Sequence, residues 1–101
     1  MKTDVRVSPQ VVAFVKSLAP EPRRRLTRAI KALAQNRGDI KRLEGKLERF
    51  SRLRVSGYRI IFHEVFKDGA RFIDCVFAEK RSIVYDIFIQ LAAEELGRED
   101  R

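Results

Sequence analysis

The sequence predicts an α+β fold: an N-terminal strand, an αα-hairpin, a three-stranded antiparallel meander and a C-terminal helix. Three observations predict it. Apolar residues recur at helical spacing before residue 36 and again after residue 82. Between them, apolar and polar residues alternate over Phe50 to Ala78. That alternation is broken twice by short turn signals, Ser56-Gly57 and Asp68-Gly69.

The elements follow in order. Thr3 to Val7 alternates and suits a short edge strand. Ser8-Pro9 starts a helix, with serine as N-cap and proline at the first helical position. That helix runs to about Leu18 and buries Val11, Val12, Phe14, Val15 and Leu18. Ala19-Pro20-Glu21-Pro22 breaks it, and a second helix spans roughly Pro22 to Gln35 with Leu26, Ala29, Ile30 and Leu33 inward. So short a break makes the two helices an antiparallel pair. The outer faces of the second helix carry Arg23, Arg24, Arg25, Arg28 and Lys31. This is either a solvated helix face or a contact for nucleic acid or a partner. Asn36 to Leu47 has no clear period, with turns expected at Arg37-Gly38-Asp39 and at Gly45.

The meander is organised by Phe50 to Phe62, FSRLRVSGYRIIF. A loop of two or four residues at Ser56-Gly57 sets Arg54 opposite Arg59, with Arg52 on the same face two positions along. Like charges facing each other across a ladder are destabilising, so an anionic ligand is the better reason for them. Asp68-Gly69 joins the next strand, Arg71 to Ala78. A two-residue loop there pairs His63 with Asp74, Ile61 with Val76 and Ile60 with Phe77, and sets Ala78 opposite Arg59. One face is then Leu53, Val55, Tyr58, Ile60, Phe62, Ile73, Cys75 and Phe77, covered by the αα-hairpin. The other is Arg52, Arg54, Arg59, Ile61, His63, Phe72, Asp74 and Val76. Ser82 caps a last helix from about Ile83 to Leu96, apolar at Val84, Ile87, Phe88, Leu91, Ala92 and Leu96. It packs on the second face or is displaced by a partner. The whole chain, 1–101, is expected to be one domain, with Gly97 to Arg101 frayed.

Composition narrows the function. The chain of 101 residues is 45% hydrophobic, too apolar for disorder, and carries a net charge of +8. So basic a domain attracts nucleic acid, an acidic protein or an anionic surface. No run reaches the length of a membrane span, and Lys2, Asp4 and Arg6 are unlike a signal peptide. The cytoplasm is the expected location. Cys75 is the only cysteine and His63 the only histidine, so no disulfide, zinc cluster or histidine-rich metal site is expected. No cofactor is expected either. His63 reads as a sheet histidine beside Asp74, and Cys75 as a small inward hydrophobe.

Arginine, lysine and tyrosine remain. Lys80, Arg81 and Tyr85 follow the third strand and emerge beside the arginine end of the sheet. Arginine forks match phosphate oxygens and can neutralise charge developing at phosphorus, and a tyrosine can stack on a base. A basic sheet end matched to an acidic protein has the same electrostatic footprint.

Arg54-x-x-Gly57-Tyr58-Arg59 and Arg81-x-x-Val84-Tyr85, with Leu43-Glu44-Gly45 upstream, resemble the RelE/ParE superfamily of bacterial type II toxin–antitoxin toxins. The resemblance runs from Val5 to about Phe88. It implies the RelE-like fold and one of two activities. RelE-type members cut mRNA in the ribosome without a metal, by attack of the ribose 2′-hydroxyl on the adjacent phosphate. ParE-type members inhibit DNA gyrase. Both are held by an acidic antitoxin. The resemblance places Arg59 on the scissile phosphate, Arg81 as a transition-state clamp and Tyr85 in stacking or proton relay. Arg52 stands where RelE-type members have a lysine. An arginine is a poor base, so Arg52 stabilises charge, and Lys46, Glu48 or Lys80 must move protons. Lys46, Arg54 and Lys80 are expected to bind RNA phosphate. The expected function is a ribosome-dependent mRNA endoribonuclease. The alternatives are a gyrase inhibitor and a non-catalytic module that binds RNA or antitoxin.

Overall fold

The computed structural model describes residues 2–81. The helix expected over Ile83 to Leu96, its fraying end and Tyr85 lie outside the described residues. Strand β1 (Thr3–Val7) leads into helices α1 (Pro9–Ser17) and α2 (Pro20–Ala32), and a 3-10 turn extends α2 over Leu33–Gln35. Strands β2 (Asp39–Arg42), β3 (Ser51–Val55), β4 (Tyr58–Lys67) and β5 (Ala70–Lys80) follow. They form one sheet in the order β1-β5-β4-β3-β2. Strand β1 runs parallel to β5 and the remaining pairs are antiparallel.

The helices end where their sequence dictates. Ser8 caps α1, its Oγ accepting from the Val11 amide at 3.3 Å. The 3-10 turn after α2 is closed by Asn36 in the left-handed region at φ 59. Leu26, Ile30 and Leu33 of α2 and its extension are buried with Val11 of α1 against Leu53, Val55, Ile60, Phe62, Ile73, Cys75 and Ala78 of the sheet. None of the described helices is long and apolar enough to cross a membrane.

Two expectations need correction. The antiparallel meander has four strands among the described residues, since Asp39–Arg42 pairs with β3 along the whole of its length. All four of its residues are exposed. An edge strand without a buried side shows no alternation, which is why Asn36 to Leu47 has no clear period.

The second correction is a β-bulge in β5. Ile61 pairs with Phe77 and Phe62 with Cys75, leaving Val76 as the extra residue. Beyond it the register shifts by one, so Ala78 faces Ile60 and joins the helix side, while Phe77 crosses to the other face beside Phe50 and Ile61. Residues just past β1 bond to β5 here. Ser8 Oγ donates to the Val76 carbonyl at 3.1 Å, and the Gln10 amide bonds both the Ala78 carbonyl, at 2.7 Å, and the Ala78 amide, at 2.8 Å. A side chain thus takes over the ladder where β1 stops.

Candidate functional site

The site is built on the β3–β4 hairpin. Its loop is the two residues Ser56 and Gly57, with Ser56 at φ 55. Arg54 pairs with Arg59, as the alternation predicts. Asp39 pairs with Arg54, and Arg59 with Glu79. The row across four strands is therefore Asp39, Arg54, Arg59 and Glu79, with a carboxylate at each end. The next row brings Lys41, Arg52, Ile61 and Phe77 onto the same face.

Two of the three arginines are held in place. Arg59 is only 7% exposed, and its Nη1 donates to the carbonyls of Ser56 at 3.0 Å and Tyr58 at 2.9 Å. A buried guanidinium needs such acceptors. Arg52, with a side chain 15% exposed, donates from Nη1 to the Asp39 carbonyl at 3.2 Å and to Asp39 Oδ1 at 3.3 Å. Arg54 is exposed.

Beside them lies an open cleft of about 450 Å³ lined by Lys41, Arg42, Leu43, Glu44, Arg52 and Arg59. Four cationic residues and one carboxylate thus line it. Arg42 Nε donates to the Glu48 carbonyl at 2.8 Å and ties strand β2 to the loop that follows it. Lys41 and Glu44 are lining residues that the sequence reading missed. Lys41 reaches the site on β2 and Glu44 just after it, and only the Leu43-Glu44-Gly45 turn signalled that this segment approaches the arginine strands.

Arg52 and Arg59 line the cleft and Arg54 adjoins them. Lys46 is exposed on a 3-10 turn, Gly45–Leu47, that follows directly on Glu44. Lys80 is different. The bulge sets Lys80 opposite Tyr58 and Glu79 opposite Arg59, so Lys80 lies on the helix side of the sheet. The expected pairing of Ala78 with Arg59 is replaced, and Glu79 takes the place on the arginine face. Arg81 is exposed, its amide donating to the Gly57 carbonyl at 2.9 Å beside the hairpin loop.

His63 and Cys75 are structural. His63 Nε2 is 3.7 Å from Asp74 Oδ2, and its ring stands 5.3 Å from that of Phe50. Asp74 also receives a guanidinium fork from Arg6, at 2.6 and 3.0 Å. The Cys75 thiol is 1% exposed, and burial, with a smaller contribution from Asp74, pushes its pKa up to about 12. Such a thiol supplies no nucleophile near neutral pH. Among the described residues, no three histidine, cysteine or acidic side chains are grouped to hold a metal.

Two helices against one face of a five-stranded sheet, with arginines on the other, form a RelE/ParE-superfamily toxin-like fold. No protein-family profile and no curated protein matches the chain. Solved structures do. The archaeal RelE-RelB complex from Pyrococcus horikoshii OT3 aligns with TM-score 0.62 and 26% identity, over 80% of this chain and 97% of that one. The RelB-RelE antitoxin-toxin complex from Methanococcus jannaschii aligns with TM-score 0.58 and 22% identity, over 82% and 98%. A YoeB/ParE toxin from Agrobacterium tumefaciens aligns with TM-score 0.63 and 10% identity, over 80% and 99%. Two of these structures are RelE–RelB complexes and the third is a YoeB/ParE toxin.

Proposed function

We propose that this chain is the toxin of a type II toxin–antitoxin system and a ribosome-dependent mRNA endoribonuclease. The observation that carries the reading is the pair Arg52 and Arg59, clamped by backbone carbonyls and Asp39 at the wall of a cationic cleft. Guanidinium groups fixed before the substrate arrives stabilise charge that develops at phosphorus without having to reorganise. The likeness to RelE at 26% identity supports the same assignment.

The ribose 2′-hydroxyl attacks the adjacent phosphorus, forming the 2′-O–P bond as the P–O5′ bond breaks. The products are a 2′,3′-cyclic phosphate and a free 5′-hydroxyl. Arg59 holds the scissile phosphate, and Arg52 and Arg81 offset the added negative charge. Arg54 and Lys46 bind neighbouring phosphates, and Tyr85 stacks on a base or relays the proton to the departing 5′ oxygen. Proton removal from the 2′-hydroxyl falls to Glu44, the carboxylate lining the cleft. Lys80, on the helix side, has no part in this scheme. The partner is an acidic antitoxin, complementary to the net charge of +8.

The test is cleavage of mRNA on programmed ribosomes by the intact chain, Arg59→Ala, Glu44→Gln and Tyr85→Phe. Cleavage that each substitution lowers by at least about a hundredfold supports the scheme. Uncut mRNA together with blocked gyrase supercoiling replaces it with the gyrase-inhibitor reading. Neither activity, with tight antitoxin binding, leaves a binding module.

A further inference from the structure

The cleft does not use the basic face of α2, which lies on the other side of the sheet. We propose that this face docks the phosphate backbone of structured RNA, a second contact that rests on the reading of RNA as the target. Leu26 and Ile30 mark the buried side of α2. At about 100° per residue, Lys31, Arg24, Arg28 and Arg25 fall within about 60° of the pole opposite them, with Arg28 at the pole. All four are exposed.

The ridge does not serve helix stability. Arg24 with Arg28, Arg25 with Arg28, and Arg28 with Lys31 are like-charge neighbours at spacings of four, three and three residues, which destabilise a helix. Glu21 offsets only the first turn, lying 3.2 Å from Arg24 and 3.8 Å from Arg25. Among the described residues, Arg28 and Lys31 have no carboxylate partner. Arg23 is set apart, since its Nη2 donates to the Leu18 carbonyl at 3.0 Å at the end of α1.

The chemistry of the ridge selects the partner. At protein interfaces arginine hot spots typically sit with buried aromatic anchors in well-packed pockets. Among the described residues the exposed large apolar side chains are Val7, Ile40 and Phe66, and none is on α2. A row of cations about 10 Å long with no apolar component suits a phosphate backbone, where charge and counterion release supply the affinity.

The experiment measures binding of a short blunt RNA duplex against salt concentration, using the full chain. Arg24→Gln/Arg28→Gln/Lys31→Gln keeps good helix formers at exposed positions, and its melting temperature is expected to hold or rise. Its duplex affinity at low salt should fall at least about tenfold, and the slope of log K against log salt should become shallower by about 2 to 3. Arg52→Gln/Arg54→Gln, which removes two cations from the cleft, should weaken duplex binding less than the ridge variant does. Unchanged duplex binding by the ridge variant overturns the inference. So does binding of a poly-glutamate peptide in place of the duplex by the unsubstituted chain, which would assign the ridge to an acidic protein. Duplex binding is read without ribosomes or cleavage, so a failed cleavage assay leaves this result separately legible.

Discussion

Arg54 stands directly across the β3–β4 ladder from Arg59, with Asp39 and Glu79 closing the row on either side. The flanking carboxylates moderate the repulsion without removing it, since Asp39 Oδ1 is already engaged by Arg52. On the function proposed above, this row exchanges fold stability for anion affinity.

Arg54→Thr should therefore separate the two. Arg54 is exposed and threonine suits a strand. Unfolding in urea is expected to shift toward greater stability by a few tenths of a kcal/mol. Binding of single-stranded RNA should weaken in the same variant. A variant that is less stable and binds RNA unchanged would show that the cluster serves the fold.

Two glycines near the site should behave in opposite ways. Gly38 sits at φ 129, and a Cβ there would lie 2.7 Å from Cδ1 of the buried Leu53. Gly38→Ala combines a left-handed backbone with a core contact that cannot yield, and should cost about 1–3 kcal/mol. Gly57 lies outside the left-handed region with nothing near its missing Cβ. Gly57→Ala should stay within about 0.5 kcal/mol of the unsubstituted protein in thermal or urea unfolding. If Gly57→Ala keeps its fold and loses RNA cleavage, the glycine serves the approach of a ligand.

The contrast bears on what the sequence can convey. The periodicity of α1 and α2, the Ser8-Pro9 start, the Asp68-Gly69 turn (left-handed at both residues) and the arginine face all depend on local spacing. They are found as read, except that Val12, Phe14, Val15 and Leu18 are half-buried where the spacing predicts burial. Strand β2 depends on pairing alone, because its exposed residues leave no alternation. The bulge depends on Ser8 and Gln10 meeting β5 from sixty-eight residues away. Counting register from the Asp68-Gly69 turn cannot detect an extra residue, so it puts Phe77 on the helix side and Ala78 opposite Arg59, where the structure has Ala78 and Glu79. The arginines were legible as a cluster. Their cleft was not, since Lys41 arrives on the unread strand and Glu44 on the segment just after it.

The Gln10 amide replaces a strand at the end of β5, and that substitution can be tested. Ala78 is fully buried, and both of its backbone groups bond to this one side chain. Gln10→Ala strips both partners at once, leaving a buried amide and a buried carbonyl to be satisfied otherwise. Loss of about 1–3 kcal/mol is expected in urea unfolding. Amide exchange at Ala78 should quicken more than exchange at Ile73. Equal protection of Ala78 in both proteins would mean that the side-chain bonds are dispensable.

Cys75 provides a test in alkali. Its thiol titrates near 12 in the folded protein and near about 8.5 in an unfolded chain. Below about pH 8.5 both states keep the proton, so the cysteine adds no pH dependence. As pH rises further the unfolded chain releases the proton while the folded one retains it, and unfolding becomes easier. The expected slope is about 1.4 kcal/mol per pH unit, levelling off only near the folded pKa. Other groups titrate in the same range, so the measurement is a difference between the unsubstituted protein and Cys75→Ala. At neutral pH the alanine variant should be the less stable, because the deletion leaves a small void in the core. Between about pH 9 and 11 that gap should close at the stated slope. In parallel, the native thiol should resist a disulfide reagent at about pH 8 and react once the chain is unfolded. A constant gap between the two proteins, or a native thiol as reactive as the unfolded one, would mean that Cys75 is exposed to solvent by a motion the static packing does not reveal.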